Sequence, residues 1–276
     1  MQTTLLDAIF GVAVLILTSS GLVVIFGLMK VVNFAHGEAM MLGAYVALLS
    51  QSWGSFPLSV FAAAIFVGVL GLVVERLMVR RLYRRVLDTI LATWGLGLLI
   101  RELVRAIQGT SYNSLPPPVD GPIEILGTEY SQYRLIIVTV AAALLLALFL
   151  IDRFTPLGRL VRAVMANPDL AASLGVNVDR VYLASFGTGW LLAGMAGALL
   201  APLVTITPQM GSTFLIGGFL TTILAGASLL GIGPAAGLLG STSGIVSTYF
   251  DATTASIATL IITVIVMRIR NLRRRG

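Results

Sequence analysis

Apolar runs about 20 residues long, the length that crosses a bilayer, alternate with short polar breaks along most of this 276-residue chain. The first, Leu5 to Met29, ends at Lys30. The second, from about Val32 to Leu49, opens on Asn33, His36 and Glu38 with Gly37 among them, and the pattern places this polar set at a helix start near the Lys30 side. GSFPLS, residues 54–59, turns the chain into a third run, Leu58 to Val79, whose end carries Arg76, Arg80, Arg81, Arg84 and Arg85. A fourth runs from Asp88 to about Val104, where Arg101, Glu102 and Arg105 read as an ion cluster anchoring its far end. Beyond a loop at 108–133, with three successive prolines and an acidic tone, come runs at Arg134–Ile151 and Leu183–Val204. Phe214–Leu230, Ala235–Phe250 and Ile257–Met267 then lead to the basic tail RIRNLRRRG. The expected fold is all-α, a polytopic membrane helical bundle forming one transmembrane domain over residues 1–276. It has about eight or nine crossings, nine by count and falling to eight or seven where part of 214–250 re-enters. The apolar–break–apolar pattern of 11–50 resembles that of 214–250, the outline of an inverted repeat.

One long hydrophilic stretch interrupts the apolar pattern, at about 152–182. Thr155-Pro156 is a helix start, since a Thr oxygen caps free N–H groups and a proline at the first helical position has no N–H to strand. Leu157, Leu160, Val161 and Val164 fall on one face of the helix that follows, and Arg159, Arg162 and Ala166 on another. Asn167-Pro168-Asp169 repeats the start signal, and Leu170, Ala171 and Leu174 give a second, shorter stripe. Gly175 suits a left-handed terminating position. Two short helices meeting at a bend can dock into a protein groove or lie in lipid headgroups. Local physics weighs the two equally.

Composition agrees with a membrane protein. Hydrophobic residues make up 57% and charged residues 11%, too little polar surface to cover a soluble globule. Zero cysteines exclude disulfides and thiolate metal sites, and a single histidine excludes a multi-histidine metal cluster. The net charge of +6 rests on seventeen Arg and one Lys gathered at the ends of apolar runs, a pattern of membrane topology and not of nucleic-acid binding. The excess of positive charge at 80–87, in 152–182 and in the tail puts all three on the cytoplasmic side, with the N-terminus outside and the C-terminus inside. The start MQTTLLDAIF lacks a basic n-region, so the first apolar run is expected to be retained.

Some chemistry is missing. Lys30 is the only lysine, and GLMK is not a phosphate-binding loop, so any ATP is handled on another chain. Apart from His36, Glu38 and Glu75, ionisable groups keep to segment ends, unlike the deep carboxylates of ion-coupled carriers. His36 and Glu38, with Asn33, have two readings: groups on a translocation path, or a capped helix end at the interface. The second carries more weight.

Two stretches resemble a known family. GLVVIFGLMKVVNFAHGEAMMLGAYVALL, residues 21–49, is similar to the amino-terminal signature of LivH-type permeases of bacterial branched-chain amino acid ABC importers. TPLGRLVRAVMANPDLAASLGVNVDRVYLASFGTGWLLAGMAGAL, residues 155–199, resembles their cytoplasmic coupling region and the helix after it. The resemblance implies an inner-membrane permease subunit, not an enzyme, paired with a homologous LivM-type permease, two ATPase subunits and a periplasmic substrate-binding protein. No cofactor is implied on this chain, with ATP and Mg on the partner ATPases. It also implies an ATPase-coupling segment from Ala163 through Gly175, including Asn167, Pro168, Asp169, Ala171 and Leu174, with Arg159 and Arg162 beside it. Branched-chain or related hydrophobic amino acids are the first substrate choice, ahead of urea, amides or another small solute. A self-contained secondary transporter is the reading from a different class.

Overall fold

The computed structural model describes residues 2–30, 33–83, 85–125, 127–226 and 228–273. Val32 of the second apolar run, Arg84 of the arginine cluster and the last three residues of the basic tail lie outside these. The chain forms helices α1 (Gln2–Met29), α2 (His36–Leu49), α3 (Phe56–Leu77), α4 (Val86–Gln108), α5 (Gln132–Phe154), α6 (Pro156–Ala166), α7 (Pro168–Ser173), α8 (Val178–Leu200), α9 (Met210–Ala225), α10 (Ile232–Tyr249) and α11 (Ala252–Arg273). Among the described residues six helical stretches are long and apolar enough to cross a membrane, within α1, α3, α5, α8, α10 and α11. The protein is therefore an integral membrane helical bundle. α4 matches these in length but carries Asp88, Arg101, Glu102 and Arg105. The second expected crossing is only the 14-residue α2, and the seventh is the 16-residue α9. At 1.5 Å per residue each is about 21–24 Å long, short of a full crossing.

Contacts along the helices fix their directions. Ala8 and Val12 of α1 meet Gly244 and Gly240 of α10, so these two are antiparallel. Ala63, Val67 and Gly71 of α3 meet Gly194 and Trp190 of α8 in the same antiparallel sense. α2 lies on α8, and α9 lies on α1 through Thr18, Leu22 and Gly218. The order helix, break, half-helix, helix, helix thus occurs twice, as α1–α4 and as α8–α11. α1 is antiparallel to α8, with Leu28 near Val181 and Gly21 on Gly189, so the second set is inverted relative to the first. The repeat frame differs from the expected one. The counterpart of 11–50 is α8 with α9, not 214–250, because hydropathy alone does not tell a half-helix from a full one.

The core is built on small residues. A Cβ on Gly43 would collide with the Gly194 carbonyl, and one on Gly197 with the carbonyl of Met40. Such close backbone approach gives helices in lipid their packing energy where no hydrophobic drive separates helix from solvent. Around it sit Trp190 and Phe186, stacked with ring centroids 5.7 Å apart, and Met40, Met41 and Ile137.

Two ends of the bundle are distinguishable. At one, Arg80 pairs with Asp179, Tyr83 donates to Glu75, and the Tyr83 and Tyr182 rings meet edge to face at 4.9 Å. Burial and then the neighbouring Glu75 carboxylate push the Tyr83 hydroxyl far above its usual range. α6 and α7 are at this arginine-rich end. At the other, Asp7 pairs with Arg134 at 3.0 Å and accepts the Tyr130 hydroxyl at 3.2 Å. There the loop after α4 holds an antiparallel hairpin, Pro122–Ile125 (β1) with Thr128–Ser131 (β2), turning through Gly127 at φ +78°.

Candidate functional site

Two groups of residues stand out, one at the arginine-rich end and one inside the bundle. The first is the α6–α7 segment. Thr155 accepts the Gly158 amide at 3.2 Å and Asn167 accepts the Leu170 amide at 3.0 Å, so both prolines stand at capped helix starts. Gly175 has φ +88°, and the Val176 amide reaches the Ala171 carbonyl at 3.1 Å, the six-to-one bond of a Schellman end. A third cap, Asn177 to the Arg180 amide at 3.0 Å, starts α8. Four consecutive local signals therefore hold one rigid, bent segment.

Its side chains divide. Val164 and Ala171 are buried with Leu28 and Val181, which anchors the segment to α1 and α8. Arg159, Ala163, Asn167, Asp169, Leu170, Leu174 and Gly175 are exposed, and Pro168 is half-buried. Leu174 is 77% exposed and Leu170 57%, unusual for leucines in a well-capped helix pair. Arg162 is not among the outward groups. It donates to the Asp152 carboxylate at 2.9 Å and to the Asp152 carbonyl, and α6 can come this close because a Cβ on Gly158 would strike that carbonyl. Leu157, placed by periodicity on the apolar face, is 65% exposed.

The second group corrects the expected depth of the polar set. His36 lies against Gly21, which is eight residues before Met29. By the helix rise that is about 12 Å from the Lys30 end. The break after α1, where Lys30 takes φ +49°, therefore leads back into the bundle, and α2 begins inside it. α9 begins at the same place. A Cβ on Gly37 would stand 2.6 Å from the Gly211 carbonyl, and one on Gly211 would strike the carbonyl of Gly37. Each glycine is the second residue of its half-helix, so two helix starts cross on their first turns within the core.

Each helix N-terminus carries a partial positive charge equivalent to roughly half a unit. Two of them crossing in the interior favour anions and disfavour cations. α2 has its own anion. Glu38, in its first turn, pairs with Arg101 of α4, and both sit away from water, with side-chain exposures of 4% and 26%. The Thr93 hydroxyl receives the Phe34 amide at 3.3 Å, and Asn33 Oδ1 receives that of Ala35 at 3.1 Å. Among the described residues, Asn33 Nδ2, Glu38 Oε2 and both ring nitrogens of the fully buried His36 make no hydrogen bond in good geometry. α9 differs: its first turn holds no acidic residue, and like α2 it has no side-chain cap at its first turn. At its other end Arg270 donates to the Leu224 carbonyl at 2.6 Å.

The sequence reading missed Arg101, Gly211 and Thr93. Arg101 went to an anchoring cluster because the fourth run was ended at Val104, whereas α4 continues to Gln108 and carries Arg101 inward. Glu102 and Arg105 do form the expected local pair, at 3.8 Å.

A bundle of apolar helices in which two half-helices begin inside the core has the build of a membrane transport protein. Comparison with known proteins agrees and is more specific. The family described as "Branched-chain amino acid transport system / permease component" matches residues 4–269, and the chain belongs to that family. The chain is 27% identical to the high-affinity branched-chain amino acid transport system permease protein LivH of Salmonella typhimurium, over 91% of this chain and 88% of the relative. It is 27% identical to the corresponding protein BraD of Pseudomonas aeruginosa, over 76% of this chain and 74% of the relative. A probable LivH of Methanocaldococcus jannaschii is 28% identical over 77% and 70%. No solved structure matches the chain.

Proposed function

We propose that this chain is an inner-membrane permease subunit of an ATP-driven importer for branched-chain or related hydrophobic amino acids. Family membership and the names of its relatives support the substrate class. The observation that carries the mechanism is the capped, outward-facing α6–α7 segment at the arginine-rich end of a chain without a phosphate loop. The positive-inside rule makes that end cytoplasmic, with the N-terminus external. ATP and Mg then act on two partner ATPase subunits, a homologous permease completes the membrane part, and a periplasmic binding protein delivers substrate to the Asp7–Arg134 end.

In this reading an ATPase groove receives Arg159, Ala163, Leu170 and Leu174, and the buried Val164 and Ala171 pass its movement to α1 and α8. The crossed starts of α2 and α9 are the barrier that substrate must pass. Their combined positive ends tolerate a carboxylate and oppose leakage of cations. Single cysteines at Arg159, Ala163, Leu170 and Leu174 should crosslink to a co-purified ATPase subunit in a pattern that ATP alters, while cysteines at Val164 and Ala171 stay silent. Uniform crosslinking along 159–174, or active solute transport by the purified chain alone, would replace this reading with that of a self-contained carrier.

A further inference from the structure

Beneath α6 lies a cavity of about 400 Å³, bounded by α1, α5, α6, α8 and, between α9 and α10, Ser228 and Leu229. Its walls are mostly aliphatic, among them Leu28, Leu148, Ile151, Val161 and Met165. Two charged groups, Asp152 and Arg162, also line it, and they are the ion pair that ties α6 to the end of α5. Asp152 is the more enclosed, its side chain 17% exposed against 41% for Arg162. Neither the translocation barrier nor the outward face of α6–α7 uses this space.

We infer that the cavity binds a free aliphatic amino acid from the arginine-rich side. The inference rests on the importer reading and adds a regulatory site to it: accumulated product wedges behind the coupling segment and slows further uptake. The wall chemistry selects the ligand. An aliphatic side chain matches the leucine, isoleucine, valine and methionine lining, and burying it is favourable by about 25 cal/mol per Å². The head must satisfy one carboxylate and one guanidinium together. A zwitterion does so by inserting between them, its ammonium donating to Asp152 and its carboxylate accepting from Arg162, so that one ion pair is exchanged for two. An acidic lipid chain would fill the apolar part as well, but its head would face the Asp152 carboxylate. A fatty amine would face Arg162. The volume holds one such amino acid with room for water, and occupancy would loosen the Asp152–Arg162 tie on which the position of α6 depends.

The test is equilibrium binding of radiolabelled leucine to the purified permease–ATPase complex without binding protein. Saturable binding is expected. Asp152→Asn should weaken it by about tenfold or more, since removing one partner of an enclosed charge pair strands the other. Isovalerate and isoamylamine, each lacking one charge, should compete at least about tenfold less well than leucine. Ser185→Leu, which fills the cavity from α8, separates this site from the translocation path: it should abolish binding while ATP-driven uptake continues. In vesicles, millimolar leucine on the ATPase side should slow uptake by the native complex and not by Ser185→Leu. Absent saturable binding, isovalerate competing as well as leucine, or full binding to Ser185→Leu would each overturn the inference. If binding holds while ATP-driven uptake is absent, the importer reading fails instead.

Discussion

The half-helices α2 and α9 occupy equivalent places in an inverted repeat, yet the chemistry around them is unlike. Both begin inside the bundle, both put a glycine second, and the two glycines touch. α2 is bound to its neighbours by charge and hydrogen bonds: Glu38 to Arg101, the Phe34 amide to Thr93, and Asn33 to the Ala35 amide. Among the described residues α9 has no such ties at its start, and its held end is the far one, where Arg270 donates to the Leu224 carbonyl. The backbone needs only small residues for the crossing, so symmetry persists there. Charge is free to diverge. α2 is therefore tied to its neighbours at its start, and α9 at its far end.

The shared element should show the largest effect. Gly37→Val and Gly211→Val each place a branched side chain where the opposing carbonyl already stands, and both should prevent accumulation of folded protein. A monodisperse chromatographic peak at native yield for either would break the symmetric crossing. The next effect should be one-sided. Glu38→Gln strands Arg101 in a poorly hydrated site and should cost about 3 kcal/mol or more, read as a lower unfolding midpoint in detergent. Glu38→Leu combined with Arg101→Met should recover much of that loss. On the α9 side, Ser212→Ala should change stability by less than about 0.5 kcal/mol, because that exposed hydroxyl bonds its own turn, at Gln209.

A smaller loss, about 1 kcal/mol, should follow Asn167→Ala, which removes the α7 cap, and uptake should fall more than yield. Smallest is a pH effect at Asp251, whose carboxyl is held below its usual range by the Thr254 hydroxyl and amide. A depressed folded pKa stabilises above the unfolded value and loses that contribution as pH falls through the folded one. Thr254→Val should therefore lower stability slightly at neutral pH and hardly at all in strong acid. An equal change at both would show that Asp251 is not the group involved.

Much of the α6–α7 segment was legible in the sequence, since its signals are local. Thr155, Asn167 and Gly175 each act within a few residues, and all three sit in the geometry their types favour. Apolar run length likewise located the long helices. What runs against local reading is depth. Nothing near His36 says that the chain after Lys30 leads inward, because that follows from contact with Gly21 and from the Gly37–Gly211 crossing, distant in sequence. Arg101 was hidden in the same way, by a partner 63 positions away. The β1–β2 hairpin did leave a signal, alternation on both sides of Gly127, which the preceding three prolines overshadowed.

ATP-driven uptake in proteoliposomes tests the central claim most directly. The chain, co-purified with its partner permease and ATPases and supplied with binding protein, should concentrate radiolabelled leucine only with ATP on the ATPase side, and a Gly175→Val variant inserted at native levels should lose most of that uptake. Leucine accumulation by the chain alone, or by the assembly without ATP, would contradict the account.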